Sequence, residues 1–127
     1  MNKLLPVVIG GGLGAGARYL VCELMLSRLG PAFPWGTLTV NLLGSILLGV
    51  IAQLGLSGAA MSIELRLLLT TGFMGGFTTY STFNYETLNL LQDGRWSAAA
   101  LNVGLTLVAC LAGGALGVIG ARAAVGG

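Results

Sequence analysis

The polar chemistry of this chain sits in three short patterns against an apolar background. The first is the run Gly72-Phe73-Met74-Gly75-Gly76-Phe77-Thr78-Thr79-Tyr80-Ser81-Thr82-Phe83, in which paired glycine is followed by consecutive hydroxyl residues. Glycine weakens a helix interior and hydroxyl side chains compete for its backbone groups, so the run predicts a helix broken near Gly75–Thr79. A break frees carbonyls around Gly75 and Thr78 for a cation and points the first N–H groups of the following half-helix at an anion. The second pattern is Thr37, Asn41 and Ser45; spacing of four places them on one helix face, with Asn41 bringing an NH₂ donor. Asn102, Thr106 and Cys110 form the third, at the same spacing, and offer a face that completes a polar track.

The elements that must position these residues follow from composition. Hydrophobic residues make up 55% of the 127 and charged residues 8%, against roughly a quarter charged in a typical soluble domain. Mean hydropathy is +0.90. A soluble globule is excluded, and an all-α integral membrane protein remains. A bilayer core needs about 20 mostly apolar residues per helix. Four such spans fit into one transmembrane domain covering 1–127, at about 4–26, 35–56, 65–91 and 97–121. Gly30-Pro31-Ala32-Phe33-Pro34 and Gln92-Asp93-Gly94-Arg95 separate them, the first lacking proline N–H groups and the second combining charge with a turn glycine. The first span is long and glycine-rich, so it reads as a retained helix rather than a cleaved leader.

Charge narrows the cargo. There is no histidine, which removes the commonest general base and metal ligand and leaves no constellation for an enzyme. The net charge of +2 is small and scattered, unlike a nucleic-acid surface. Cys22 and Cys110 lie in apolar runs, where a thiol behaves as a small hydrophobe. Cation pathways and proton relays use acids within the membrane, whereas Glu23, Glu64 and Glu86 fall toward span ends. The interior offers neutral donors, a set suited to a small anion. Tyr80 and Phe83, three apart, add electropositive ring edges on the same face.

Orientation follows the Lys/Arg bias of short loops. One side holds Lys3, Arg66 and Arg122, the other Arg28 and Arg95, with Arg18 in the half of the first span nearest the latter. So flat a bias predicts insertion in both directions. Four short helices also make a thin bundle, and many transporters solve this with inverted repeats. Two oppositely inserted copies build the same geometry, which predicts an antiparallel homodimer. Small residues spaced four apart (Gly10/Gly14, Gly12/Gly16, Ser45/Gly49 and Gly113/Gly117) let backbones approach closely in lipid.

Arg18-Tyr19 after the glycine-rich start, Gly36-Thr37-Leu38-Thr39-Val40-Asn41-Leu42-Leu43-Gly44, and Gly72 through Phe83 together resemble the small fluoride channels of microorganisms, the Fluc or CrcB family. The resemblance runs over essentially the whole chain. It implies a multi-pass protein of the plasma or inner membrane, a dual-topology homodimer with two antiparallel pores. Its implied function is passive fluoride export that relieves toxicity. It also implies a structural Na⁺ at the dimer centre, held by backbone carbonyls at positions matching Gly75 and Thr78. Asn41 matches the family's fluoride-donating asparagine, Tyr80 and Phe83 its two pore phenylalanines, and Ser81 and Thr82 its polar track. Glu86 matches the acid near the end of that track, and Thr106 and Cys110 match helix-four hydroxyl positions. Arg18 matches a family arginine and reads as a vestibule cation that attracts anions. Two departures stand out: Tyr80 adds a hydroxyl where the family has phenylalanine, and Cys110 is a weaker donor than serine.

Two competing readings remain at this level. One is a dual-topology, proton-coupled small-molecule exporter, which is similar to this chain in size and flat charge bias but has an essential glutamate inside its first helix, whereas the first helix here has Arg18 midway and Glu23 near its end. The other is a non-transporting membrane assembly subunit in which the polar stripes act as glue.

Overall fold

The computed structural model describes residues 3–56 and 61–126, and among them every regular element is helical. Helix α1 (Leu4–Leu29) stops where Gly30 turns left-handed at φ 79° and returns its N–H to the Leu26 carbonyl. Glycine adopts that conformation without a Cβ clash, and Pro31 and Pro34 then bar any continuation. Helix α2 covers Trp35–Leu56.

The third membrane segment is interrupted. It opens with a short helix α3 (Ile63–Leu67), capped by Ser62, whose hydroxyl accepts from the Leu65 N–H at 3.1 Å. It then widens into π-helical turns over Leu68–Met74, tightens again as α4 (Gly75–Phe77), and breaks. Thr78 and Thr79 are extended, at ψ 159° and 123°, and α5 (Tyr80–Gln92) restarts with Thr79 as its cap. The break thus falls within the predicted stretch, but Gly75 and Gly76 are themselves helical and the threonines carry the irregular backbone. Nothing in the sequence reading anticipated the π turns. Hydroxyls bond back to the preceding turn within and just after them, Thr70 to the Arg66 carbonyl at 2.7 Å and Thr78 to the Met74 carbonyl at 2.9 Å, a pattern that bends helices.

Helix α6 (Trp96–Ala124) completes the bundle. Helices α1, α2 and α6 are each long and apolar enough to cross a bilayer. With the interrupted segment between them, the chain is a multi-pass membrane protein. Large apolar side chains such as Leu20, Leu107 and Leu111 project outward, as expected for helices solvated by lipid rather than water.

Glycine decides which helices meet. Helices α2 and α6 form the most extensive pair. There Gly117 lies against the Ile46 carbonyl and Gly49 against that of Gly114, leaving no room for a Cβ at either. On α1, Gly10 and Gly14 are buried against the Leu68 and Phe73 carbonyls. Gly12 and Gly16, the alternative α1 pair, meet nothing and face outward. Backbones approaching this closely gain dispersion contacts that lipid cannot replace.

Candidate functional site

The break creates a small inventory of backbone groups without helical partners. In a continuous helix the Gly75 carbonyl would accept from the Thr79 N–H, and the Thr78 carbonyl from the Thr82 N–H. Both amides are diverted. The Thr79 N–H donates to Asn41 Oδ1 at 2.8 Å, and the Thr82 N–H donates to Thr79 Oγ1 at 3.2 Å. The carbonyls of Gly75 and Thr78 are thereby released from the helical ladder, and both residues line the same groove. Backbone carbonyl oxygens of this kind are among the donors that hard cations take.

Asn41 spends its amide on the break. Besides accepting from Thr79, its Nδ2 donates to the Thr79 carbonyl at 3.0 Å. The two partners are of opposite kind, which fixes the orientation of the amide and leaves one N–H for any other acceptor. Gly44, one turn along α2 from Asn41's face, makes room for Thr78, since a Cβ there would overlap Thr78 Cγ2.

Beside the break runs a groove of about 730 Å³. It gathers Asn41, Tyr80, Phe83, Thr106 and Cys110 with Gly75 and Thr78, and among the described residues no charged side chain lines it. The rings of Tyr80 and Phe83 are 5.8 Å apart and tilted by 47°, with Tyr80 79% exposed at the open side. Thr106 Oγ1 is buried with no hydrogen-bond partner, which leaves its donor and acceptor available to a guest.

The remaining candidates lie elsewhere. Ser81 is exposed and Thr82 half-buried, its hydroxyl held 3.1 Å from that of Thr79; neither lines the groove. Glu86 lines a second cavity of about 410 Å³ at the end of the bundle that carries the two predicted loops, together with Thr37, Cys22, Glu23 and Asp93. One Glu86 carboxyl oxygen is buried without a partner there. Arg95 fastens that end by donating to the Ala32 carbonyl. Arg18 lines neither cavity; its Nε donates to the Gly76 carbonyl at 3.0 Å, immediately before the break.

Two residues were under-read in the sequence. Thr79 caps α5 and clasps Asn41; a threonine just ahead of the restarting helix carried the usual capping signal. Asn102, 2% exposed, donates to Thr87 Oγ1 at 2.9 Å, and Thr87 in turn donates to the Phe83 carbonyl at 2.8 Å. It therefore braces α5 against α6 instead of joining Thr106 and Cys110 in the groove, and its spacing gave no sign of a partner on another helix.

Comparison with known proteins places this arrangement. Residues 5–118 match the sequence model of the family described as CrcB-like protein, Camphor Resistance (CrcB). A protein of Geobacter sulfurreducens named fluoride-specific ion channel FluC is 48% identical over 122 residues, covering 96% of this chain and 98% of the relative. One of the same name from Sorangium cellulosum is 44% identical over 127 residues, the full length of both. Another, from Anaeromyxobacter sp. strain K, is 53% identical over 111 residues, covering 87% of this chain and 88% of the relative. A family match across most of the chain, together with relatives of this identity along nearly all of it, means that this protein belongs to the CrcB family.

Proposed function

We propose that the protein is a fluoride-selective channel that lets fluoride leave the cytoplasm passively, working as an antiparallel homodimer with two pores. The observation that carries this reading is the uncharged groove, which Asn41, Thr106 and Cys110 line together with Tyr80 and Phe83. Stripping an ion of its water costs on the order of 20 kcal/mol in the idealised limit, while each hydrogen bond to a charged group returns about 1.5–3. Several neutral donors must therefore converge, and a small, strongly accepting halide gains most from them. The full-length relatives named fluoride-specific ion channels support the same cargo.

The homodimer is supported by the groove's own incompleteness. Its polar wall opens beside the exposed Val103 and Leu107 of α6, and polar groups facing lipid are costly. A second copy inserted the other way, which the flat Lys/Arg balance permits, covers that wall with an equivalent one. The released carbonyls of Gly75 and Thr78, doubled by the second copy, would hold the structural Na⁺, whose charge would fix the break. Ser81 and Thr82 continue the track along α5, and Glu86 with Thr37 marks its end at the second cavity.

Fluoride efflux from liposomes containing the purified protein tests the reading. Efflux that dissipates a fluoride gradient without proton coupling is expected. Proton-coupled transport would favour the exporter reading, and silent vesicles with a folded protein would favour the assembly subunit.

A further inference from the structure

The stripe Gly10, Gly14, Arg18 runs down one face of α1 at a spacing of four. Its two glycines press directly on the backbone of the π-helical turns and α4, Gly14 meeting both the Phe73 carbonyl and the Phe77 N–H. Gly76 sits equally close to α1, against the Gly11 carbonyl. Arg18 is the next residue of that stripe, and its guanidinium reaches the carbonyl at the C-terminal end of α4. This is the only side-chain hydrogen bond that Arg18 makes among the described residues.

The carbonyls released at the break are used differently. Gly75 and Thr78 lose their helical amides to Asn41 and Thr79, whereas Gly76, between them, is taken by a permanent cation. Arginine cannot be deprotonated in a protein, so this charge is fixed. It neutralises the negative end of the half-helix. It also opposes any second positive charge brought to the neighbouring carbonyls, and in a membrane interior such repulsion is poorly screened.

We propose that Arg18 is a positioning residue that holds the break open through the Gly76 carbonyl, and that its charge limits how tightly the Gly75 and Thr78 carbonyls take a monovalent cation. The inference rests on the cation site proposed above. It changes the role of Arg18 from an anion-attracting vestibule charge to an internal cap.

The test is the Na⁺ dependence of thermal unfolding, measured on the full-length protein purified in N-methylglucamine and titrated with NaCl. Arg18→Gln keeps a side-chain N–H donor and removes the charge; its half-saturating Na⁺ concentration should fall by about tenfold. Arg18→Lys keeps the charge and should stay within about twofold of the wild type. A midpoint that does not fall in Arg18→Gln overturns the proposal. If Arg18→Gln yields no folded protein, Arg18→Lys decides: an unchanged midpoint supports the role of charge, and a shifted midpoint or loss of folding overturns it. A wild type whose unfolding ignores Na⁺ overturns the cation site and this proposal together, whereas a responsive wild type with an unresponsive Arg18→Gln midpoint overturns this proposal alone.

Discussion

Asn41 and Thr79, 38 positions apart in sequence, exchange two hydrogen bonds: Asn41 Oδ1 accepts from the Thr79 N–H at 2.8 Å and Asn41 Nδ2 donates to the Thr79 carbonyl at 3.0 Å. The side-chain amide stands in for the helical turn that the break removes. A backbone this irregular at membrane depth persists only where its polar groups find partners within the protein. Asn41, which lines the groove, thus also keeps the irregular backbone beside it in place.

Removing the Asn41 amide therefore has two consequences. Asn41→Ala leaves the Thr79 N–H unpaired and takes from the Thr79 carbonyl its donor from outside α5, and should lower stability by about 1–3 kcal/mol, with a loss of fluoride flux. Asn41→Asp retains the acceptor for the Thr79 N–H and should destabilise less than Asn41→Ala while still impairing flux. Thermal unfolding in detergent and liposome efflux measure the two effects separately. An Asn41→Ala protein as stable as the wild type would show that the clasp contributes nothing.

Gly44 makes room for a β-branched side chain that cannot swing away. Gly44→Ala should destabilise by about 1–3 kcal/mol because its methyl overlaps Thr78 Cγ2. Adding Thr78→Ser, which deletes that methyl but keeps the hydroxyl, should recover most of the loss. Unfolding midpoints of the two single variants and the double variant decide it, and a double variant no better than Gly44→Ala would place the clash elsewhere.

The two glycine pairs of α1 should behave oppositely. Gly14→Ala meets the Phe73 carbonyl and the Phe77 N–H, so it should cost more than about 2 kcal/mol or prevent folding. Gly12→Ala meets nothing and should stay within about 0.5 kcal/mol of the wild type. Comparable losses at both positions would contradict the packing described.

The Tyr80 and Phe83 rings separate shape from hydrogen bonding. Phe83→Ile removes the ring edge from the groove and should reduce fluoride efflux by tenfold or more, at roughly 1.4 kcal/mol per factor of ten. Tyr80→Phe keeps the ring and deletes only the hydroxyl, so its flux should match the wild type. A wild-type rate in Phe83→Ile would remove the ring edges from the mechanism.

Asn102 and Thr87 form an independent test of how α5 is braced. Each of Asn102→Ala and Thr87→Val should destabilise by about 1–3 kcal/mol, and the double variant should lose less than their sum because the two share one hydrogen bond. Additive losses measured by unfolding would mean that the pair does not interact.

Much of the architecture was legible from residue types alone. The apolar runs are long because a bilayer demands it, the proline loop could not have been helical, and the position of the break followed from glycine and hydroxyl residues acting on their own backbone. The uncharged character of the groove was equally readable, since it depends on which residues are missing. What only the tertiary structure decided were the partners. Asn41 pairing with Thr79, Arg18 capping Gly76 and Asn102 holding Thr87 join residues on different segments. Spacing along a helix says which face a donor occupies but not which backbone is brought against it. That is set by how closely two glycine-lined surfaces approach, so a polar residue identical in sequence terms became brace, cap or groove lining according to what came to lie opposite.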